Sequence, residues 1–179
     1  MEDYFKTILI LANSCKFKNR CVAGFHLEKG KGNAFKNTKS WIRPISSRGD
    51  GSLNTDEIWL REVKRIPKPL DIVSVPILEQ DKKPWHKEDW FIDPSKKWQH
   101  LRQANIKGFI KDGGLETPES LWLETLSNKN DCVTEYFIRK NNLQTLYFIK
   151  PIDLKLLIQF TKNSQKQKKK TRAIFEYNN

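Results

Sequence analysis

Short runs of apolar and β-branched residues, separated by polar stretches, predict a chain built mainly of β-strands. The first run, TILILA at residues 7–12, has polar residues on both sides and indicates a central strand buried on both faces. Many short strands with few helices are typical of β-barrels and β-sandwiches, so the predicted fold class is mainly β with minor α. Further strands are predicted at residues 20–25, 41–45, 71–78, 134–139, 143–149, 153–160 and 171–177.

Helices are predicted in only two places. Residues 55–63 begin with Thr55, a suitable N-cap, followed by two acids in the first turn. Residues 99–111 are predicted to be helical, or a helix followed by a loop, and two glycines end this segment. The polar stretches at residues 13–19, 28–40 and 161–170 are predicted to be loops.

The charge of the chain indicates its class of partner. Lysine and arginine number 33 against 21 aspartates and glutamates, which gives a formal net charge of +12. Such an excess favours a phosphate-rich partner, because neutralising phosphates releases counterions and strengthens binding. The excess is mostly lysine spread along the chain, so solubility in a lysine-rich proteome is the alternative explanation. Nucleic acid is the partner we expect.

The three cysteines do not form a recognisable framework. Cys15, Cys21 and Cys132 have no paired spacing, and no histidine completes a zinc pattern with them. We expect reduced thiols, with Cys21 and Cys132 buried, and neither a metal nor another cofactor. The apolar stretch at residues 5–12 is too short to cross a bilayer and lacks the features of a signal peptide. We therefore expect a cytoplasmic protein with no membrane partner.

Four segments occur along the chain in a characteristic order. They are ILANSCKFKNRCVAG at residues 10–24, WIRPISSRGDGSL at 41–53, LDIVSVPIL at 70–78 and EDWFIDPSKKW at 88–98. Together they resemble the dual OB-containing domain family of small prokaryotic proteins, which are found near biological-conflict and phage-defence genes. The resemblance extends from about residue 8 to residue 177, and none of its motifs is a catalytic signature.

This resemblance implies two small OB-like β-barrel lobes packed together and, by analogy of fold, nucleic-acid binding. On this sequence the lobes would span residues 1–80 and 100–179, with a Trp-rich bridging segment at 81–99. The resemblance also implies one more strand after residues 175–177, with a Val-Thr-Asp-Pro-like tail that this sequence lacks. Either the chain is a shortened or variant form, or a partner supplies that strand.

The polar stretch after the first strand is one candidate binding site. Asn13, Ser14, Lys16 and Arg20 follow a buried strand, and such loops present ligand-binding groups from a rigid scaffold. Hydroxyl, ammonium and guanidinium groups together are suited to a phosphate. The alternative is that Asn13 and Ser14 cap a turn while Arg20 pairs with an acid across the sheet. The residues alone leave both interpretations open.

A second candidate combines an aromatic ring with two guanidinium groups. Trp41, Arg43 and Arg48 lie within eight residues of one another. OB barrels stack bases on aromatic rings and bind the backbone through basic side chains. We expect Trp41 to point into the core and Arg43 to point outward, which leaves Arg43 and Arg48 as the binding candidates.

The Trp-rich segment offers either a stacking platform or a clamp between the lobes. Trp90 and Trp98 lie among acids that would repel phosphate, so we expect both to be structural. Trp85, flanked by Lys83 and His86, is a candidate for base stacking.

A basic segment near the C-terminus is the last candidate. Residues 162–172 contain six basic residues and no acid, and Lys168, Lys169, Lys170 and Arg172 are the candidate contacts. As a mobile hairpin tip, the segment would bind phosphates without sequence specificity. The alternative is an ordinary solvated loop.

No arrangement of residues indicates catalysis. Asp71, Glu88, Asp89 and Asp93 lack the partners that two-metal chemistry needs, and the sequence contains no Walker-type phosphate loop. The leading hypothesis is a non-catalytic accessory protein of a prokaryotic antiviral defence system that binds single-stranded DNA or RNA. The alternatives are a protein-interaction subunit that docks onto a defence effector enzyme, and a nucleotide-sensing domain.

Overall fold

The computed structural model describes residues 4–16, 18–31, 34–83, 86–119, 121, 134–163 and 166–177; for Lys16 and residues 161–163 and 166–170 it describes only the backbone. The chain divides into two compact units, Met1–Gly114 and Leu115–Asn179. The first contains the strands β1 (Phe5–Lys16), β2 (Asn19–Lys29), β3 (Phe35–Ile45), β4 (Asp71–Gln80), β5 (Asp89–Ile92) and β6 (Gln99–Gln103), and the helix α1 (Ile106–Lys111). The second contains α2 (Glu135–Asn141), β7 (Ile152–Asn163) and β8 (Lys166–Glu176).

Five strands of the first unit close into a barrel. The hydrogen-bonded order is β1, β2, β3, β5 and β4, and β4 pairs again with β1. All these neighbours are antiparallel except β3 and β5, which run parallel. A small five-stranded barrel of this kind is the OB architecture. The predicted mainly β, OB-like fold class is therefore confirmed.

The interior of the barrel is filled by the inward-facing residues of its strands. β1 contributes Ile8 and Ile10, both fully buried, and Trp98 closes one part of the core with 1% of its surface exposed. A second cluster lies on the outer surface of the barrel, where Leu9, Leu27 and Ile72 pack with half-buried residues that include Phe109 of α1. The alternation of Ile8, Leu9 and Ile10 between the two clusters follows from the period of two in a strand.

The Trp-rich segment contributes strand β5 to this barrel and so belongs to the first compact unit. That unit extends to Gly114, beyond residues 81–99, for which the sequence suggested a bridging role. The strand β6 follows and pairs with β4 outside the closed ring.

Several predicted elements differ from the structure. Residues 55–63 form turns and a short bridge rather than a helix. Asn54 and Glu57 form the reciprocal pair of hydrogen bonds of a capping box. The Asn54 side chain accepts from the N–H of Glu57, and the Glu57 carboxylate accepts from the N–H of Asn54. Turns, and not a helix, follow this box. Residues 99–111 begin as strand β6, and only the second half is helical. Residues 13–16 and 35–40, predicted to lie in loops, belong to the strands β1 and β3.

The second unit also departs from the predicted strands. Residues 134–139 form the start of α2, because the Thr134 hydroxyl caps it by accepting from the N–H of Phe137. Residues 143–149 form no regular element. The segment at 161–170 was predicted to be a loop, but the hairpin strands run through most of it, with Asn163 opposite Lys166. None of the helices in the described part of the chain has the length and apolarity needed to cross a bilayer.

Candidate ligand-binding face of the first barrel

A pocket of about 460 Å³ lies where β2, β3 and β5 meet the segment between β4 and β5. OB barrels bind their ligands on the outer face of strands 2 and 3, beside the loop that joins strands 4 and 5. The pocket has the size of small-molecule and cofactor sites. Its lining includes Cys21 of β2, Arg43 of β3, Lys83 and His86 of the β4–β5 segment, Ser46 after β3, and Phe91 of β5.

Arg43 is fixed in this pocket by an acid on the neighbouring strand. Its Nη2 donates to Oδ2 of Asp89 at 2.8 Å, and its Nε donates to Oδ1 of the same carboxylate. The two residues lie opposite each other in the parallel β3–β5 pair. Burial alone would lower the pKa of Arg43, but the hydrogen bonds and charge of Asp89 raise it above its ordinary value. The guanidinium is therefore charged and held in one position.

The two basic residues that the β4–β5 segment contributes to the pocket also have acidic neighbours. Nζ of Lys83 lies 3.2 Å from Oδ2 of Asp81, and more than half of the Lys83 side chain is exposed. Nδ1 of His86 lies 3.3 Å from Oε1 of Glu88, which is an ion pair whenever the imidazole is protonated. The segment thus presents donors to the pocket from side chains that its own acids orient.

The turn after β3 forms another wall of the pocket and is organised by Glu57. The carboxylate of Glu57 is buried, accepts from the N–H of Asn54 at 2.8 Å and from the Ser46 hydroxyl at 3.2 Å, and pairs with the guanidinium of Arg48. Gly49 and Gly51 adopt positive φ angles of 60° and 78°, which let the turn close. The geometry of this wall therefore depends on one buried acid.

The predicted site at the end of the first strand is divided between different environments. The amide of Asn13 donates to the carbonyl of Pro67 at 2.7 Å, which is a contact with a distant segment and not the turn cap considered for it. Ser14 is exposed, and Arg20 is half-buried with its backbone paired to Leu53. The side chain of Lys16 lies outside the described residues. Within the described part of the chain, these residues are not among those that line the pocket with Arg43.

The expectation that Trp41 and Arg43 point to opposite sides was wrong. Residues two positions apart share a face of a strand, and the residue between them, Ile42, is the one inside the barrel core. Trp41 instead packs on the outer face against its cross-strand neighbour Phe25, with ring centroids 4.6 Å apart. Phe25 is also 6.2 Å from the ring of Phe109 on α1. An aromatic cluster thus lies on the same face as Arg43.

The remaining candidates occupy separate places. The guanidinium of Arg48 is held by Glu57, and Arg48 lines two further pockets around the same turn. Trp98 is in the core of the first barrel, and Trp90 packs against that core with Nζ of Lys6 4.2 Å from its ring, so both side chains are structural within this barrel. Trp85 lies outside the described residues.

The basic segment lies in the second unit, where the backbone of Lys168, Lys169 and Lys170 belongs to strand β8 rather than to a loop. Nothing is described of these three side chains. Arg172 donates to Oε1 of Gln159 across the hairpin at 2.5 Å.

Sequence reasoning omitted several residues that the structure brings to the pocket. Lys83 and His86 were noted only as neighbours of Trp85, and Asp89 and Glu57 were not assigned to a site. Lys83 and His86 could have been identified from their position along the chain, because they precede β5, in the loop that borders the ligand face of an OB barrel. Cys21, expected to be buried, is half-buried and lines the pocket. Among the described residues, no group of three or more His, Cys, Asp or Glu side chains is arranged to hold a metal ion.

The positive charge of the chain is present in both units. Residues 1–114 contain 22 Lys and Arg against 14 Asp and Glu, and residues 115–179 contain 11 against 7. The acids of the pocket balance its bases locally, so the excess positive charge lies outside the pocket lining. A phosphate backbone would therefore be attracted by the basic side chains around the pocket and not by the pocket lining itself.

Comparison with curated proteins and with solved structures found no match. A family model does match, and it is described as the dual OB-containing domain; the match covers residues 6–179, almost the entire chain. It agrees with the closed five-stranded barrel of the first unit. OB domains commonly bind nucleic acids. The chain belongs to the dual OB-containing domain family.

Proposed function

We propose that the protein binds single-stranded DNA or RNA on the outer face of β2 and β3 in its first barrel. The observation that carries the proposal is the position of the pocket, which opens on that face and is bordered by Lys83 and His86 from the β4–β5 segment. This is the surface that OB folds use for oligonucleotides. Arg43, fixed by Asp89, presents a charged donor group in the same place.

The mode of binding follows from the distribution of charge and aromatic rings. The lysines outside the pocket attract the phosphate backbone, and this attraction does not depend on base sequence. Trp41, half-exposed beside Phe25, supplies an aromatic surface two residues from Arg43. Arg48, Ser14, Arg20 and the basic strand at Lys168–Lys170 are additional candidate contacts for a longer strand.

The cellular role we propose is that of a non-catalytic accessory protein in a prokaryotic antiviral defence system, working in the cytoplasm. Its support is the family resemblance of residues 10–24, 41–53 and 88–98, together with a basic surface suited to nucleic acid.

Fluorescence anisotropy with labelled oligonucleotides of roughly 20 nucleotides tests the binding proposal. Single-stranded DNA, single-stranded RNA and double-stranded DNA are titrated at about 50 mM and about 200 mM salt. Contact with four phosphates of a single strand would weaken binding by about 50-fold between these conditions. Absence of salt-sensitive binding to either single strand at the lower salt concentration would overturn the proposal.

A pair of variants tests the location of the site. Lys83→Ala combined with His86→Ala removes two donors from the pocket and is expected to lower the affinity for single strands roughly tenfold at the lower salt. Lys64→Ala is the matched control, since Lys64 is an exposed lysine of the same unit outside the pocket lining. An equal loss in the two proteins would place binding elsewhere on the basic surface.

A further inference from the structure

The guanidinium of Arg43 has two hydrogen-bonding edges, and Asp89 occupies one of them. Nε and Nη2 donate to the two oxygens of the Asp89 carboxylate. The other edge consists of one N–H of Nη1 and the second N–H of Nη2, which point in the same direction. Among the described residues, Asp89 is the group to which the Arg43 side chain donates. Because Arg43 lines the pocket, this second edge presents a fixed pair of parallel donors to a ligand.

The charges around this donor pair favour a neutral ligand group over an anion. Two permanently charged bases, Arg43 and Lys83, belong to the pocket lining. Two acids, Asp50 and Asp89, belong to it as well, and the imidazole of His86 lies beside an acid of its own segment. An anion entering the pocket therefore gains little net attraction, whereas a neutral group with two adjacent acceptors satisfies both donors without that cost.

Among the bases of a nucleic acid, guanine presents such a pair of acceptors. Its O6 and N7 lie side by side, and they are the usual acceptors for two parallel donors of an arginine. Adenine places a donor, its N6 amine, beside N7, and thymine places a methyl group beside O4. Cytosine has two adjacent acceptors only on its base-pairing edge, and its single ring offers less surface for stacking than a purine. The Arg43 edge is therefore best matched by guanine.

Phe91 supplies an aromatic surface within reach of the same base. It follows Asp89 by two positions on β5, so both side chains lie on the outer face of the barrel, whereas Ile92 lies in the core. Alternate residues of a strand are about 7 Å apart, so a base that stacks on Phe91 can reach the guanidinium of Arg43. Both residues line the pocket. Single-stranded bases are commonly held by this combination of an aromatic ring and hydrogen bonds to one edge.

We propose that the pocket holds one guanine base of the bound strand, with Nη1 and Nη2 of Arg43 donating to its O6 and N7 and its ring against Phe91. Asp89 is the positioning residue, because its carboxylate holds the guanidinium so that the second edge faces the ligand. This inference rests on the proposed binding of single strands to the same face. Lysines around the pocket supply affinity for any sequence, and the Arg43 edge adds a preference for one base.

Anisotropy titrations of the native protein with base analogues test this assignment. The reference probe is a labelled deoxythymidine strand of about ten nucleotides, and the others replace its central base by guanine, adenine or cytosine. The guanine strand is expected to bind about tenfold more tightly than the other three. A 7-deazaguanine strand lacks the N7 acceptor and is expected to lose most of this preference. A hypoxanthine strand retains O6 and N7 and is expected to keep it.

The outcomes separate this inference from the proposed function on which it rests. Salt-sensitive binding of equal strength to all four strands would leave the proposed function in place and overturn the guanine pocket. A preference for cytosine, or a 7-deazaguanine strand that binds as tightly as the guanine strand, would also overturn the pocket assignment. Absence of binding to all four strands at low salt would overturn both proposals.

A pair of variants tests whether Arg43 is the residue that reads the base. Arg43→Lys keeps the positive charge but lacks the planar pair of donors, so the preference for guanine is expected to disappear while affinity for the deoxythymidine strand changes by less than about threefold. Lys83→Ala is the matched control and is expected to weaken binding to every strand by a similar factor, which leaves the preference intact. Urea denaturation establishes that both variants are folded, and the base-analogue titrations on the native chain stand without them. A preference that survives Arg43→Lys, or that Lys83→Ala removes, overturns the assignment.

Discussion

Arg43 on β3 and Asp89 on β5 lie opposite each other in the only parallel strand pair among the described residues, and the guanidinium donates two hydrogen bonds to the carboxylate. The Asp89 side chain is 6% exposed, and the Arg43 side chain is 25% exposed. One ion pair thus joins two neighbouring strands of the barrel and also fixes the position of a charged group in the candidate pocket.

Arg43→Ala is expected to lower the free energy of unfolding by about 3 kcal/mol, because it leaves the carboxylate of Asp89 buried without its partner. The double change Arg43→Met with Asp89→Leu is expected to recover most of this loss, since neither buried charge remains. Urea denaturation of the two proteins beside the native chain measures the effect. If the Arg43→Ala protein is as stable as the native chain, water solvates the Asp89 carboxylate adequately and the ion pair adds no stability.

Asp71 at the start of β4 gives a prediction for pH. Its fully buried carboxylate accepts from both Nη atoms of Arg65, at 2.5 and 2.9 Å, and from the N–H of Lys68 at 2.8 Å. Burial alone would raise the pKa of Asp71, but Arg65 and the Lys68 N–H more than offset it, so the pKa lies below its ordinary 3.8. A carboxyl with a depressed pKa in the folded state stabilises the protein above its unfolded pKa. That contribution is lost as the pH falls through the folded pKa.

Asp71→Asn is therefore expected to destabilise the protein by about 3 kcal/mol at neutral pH. The difference from the native chain should shrink as the pH falls below 3.8. Thermal unfolding at a series of pH values measures it. Asp93→Asn is the control, because the pKa of Asp93 is also lowered, by Ser95 and Lys96, but its side chain is partly exposed whereas that of Asp71 is fully buried. A stability difference between native and Asp71→Asn proteins that stays constant down to the lowest pH would contradict the linkage.

Gly24 on β2 marks a close approach between the backbones of β2 and β1. A Cβ atom at this position would lie 1.9 Å from the carbonyl oxygen of Leu9, which no side-chain movement relieves. Gly24→Ala is expected to cost about 3 kcal/mol or more of unfolding free energy. Gly108→Ala in α1 is the matched change, because a Cβ there meets no atom within 4 Å, and it is expected to stabilise the protein by about 0.5 kcal/mol. Equal changes in unfolding free energy for the Gly24→Ala and Gly108→Ala proteins in denaturant titrations would refute the close approach of the two backbones.

The apolar pattern sufficed to predict the centre of the barrel. The runs at residues 7–12 and 71–78 contain the buried parts of β1 and β4, and both were predicted as strands. The polar end of β1 was missed, because Asn13 and Lys16 carry no apolar signal and are strand residues through the pairing of their backbone with β2. Residues 134–139 were wrongly predicted as a strand, because a short apolar run is compatible with the periodicity of a strand and with that of a helix. In the structure Thr134 caps a helix that begins at Glu135.

The candidate site was harder to predict because its contacts join distant parts of the sequence. Arg43 was predicted as a binding residue, but its partner Asp89 is 46 positions away and is brought to it by the parallel pairing of β3 and β5. The sequence contains no spacing signal for such a pair. Glu57 was interpreted as an acid in the first turn of a helix, whereas its carboxylate is the centre of the turn that lines the pocket.

Glu57→Ala tests the link between this turn and ligand binding. The change leaves the Asn54 N–H and the Ser46 hydroxyl without their acceptor, so we expect a loss of about 2 kcal/mol in unfolding free energy. Because Ser46 and Gly51 line the pocket, a disordered turn is expected to weaken single-strand binding roughly fivefold. Removing a negative charge would by itself strengthen the attraction of the protein for phosphates.

The matched control is Asp56→Ala, which removes the same charge from an exposed neighbour of Glu57. It is expected to leave affinity unchanged or slightly higher, and the two variants compared by anisotropy at the same salt separate geometry from charge. Weaker binding by the Glu57 variant alone means that the shape of the Ser46–Ser52 turn matters to the ligand. If both variants bind more tightly than the native chain, the turn contributes only its charge, and the ligand does not enter the pocket it borders.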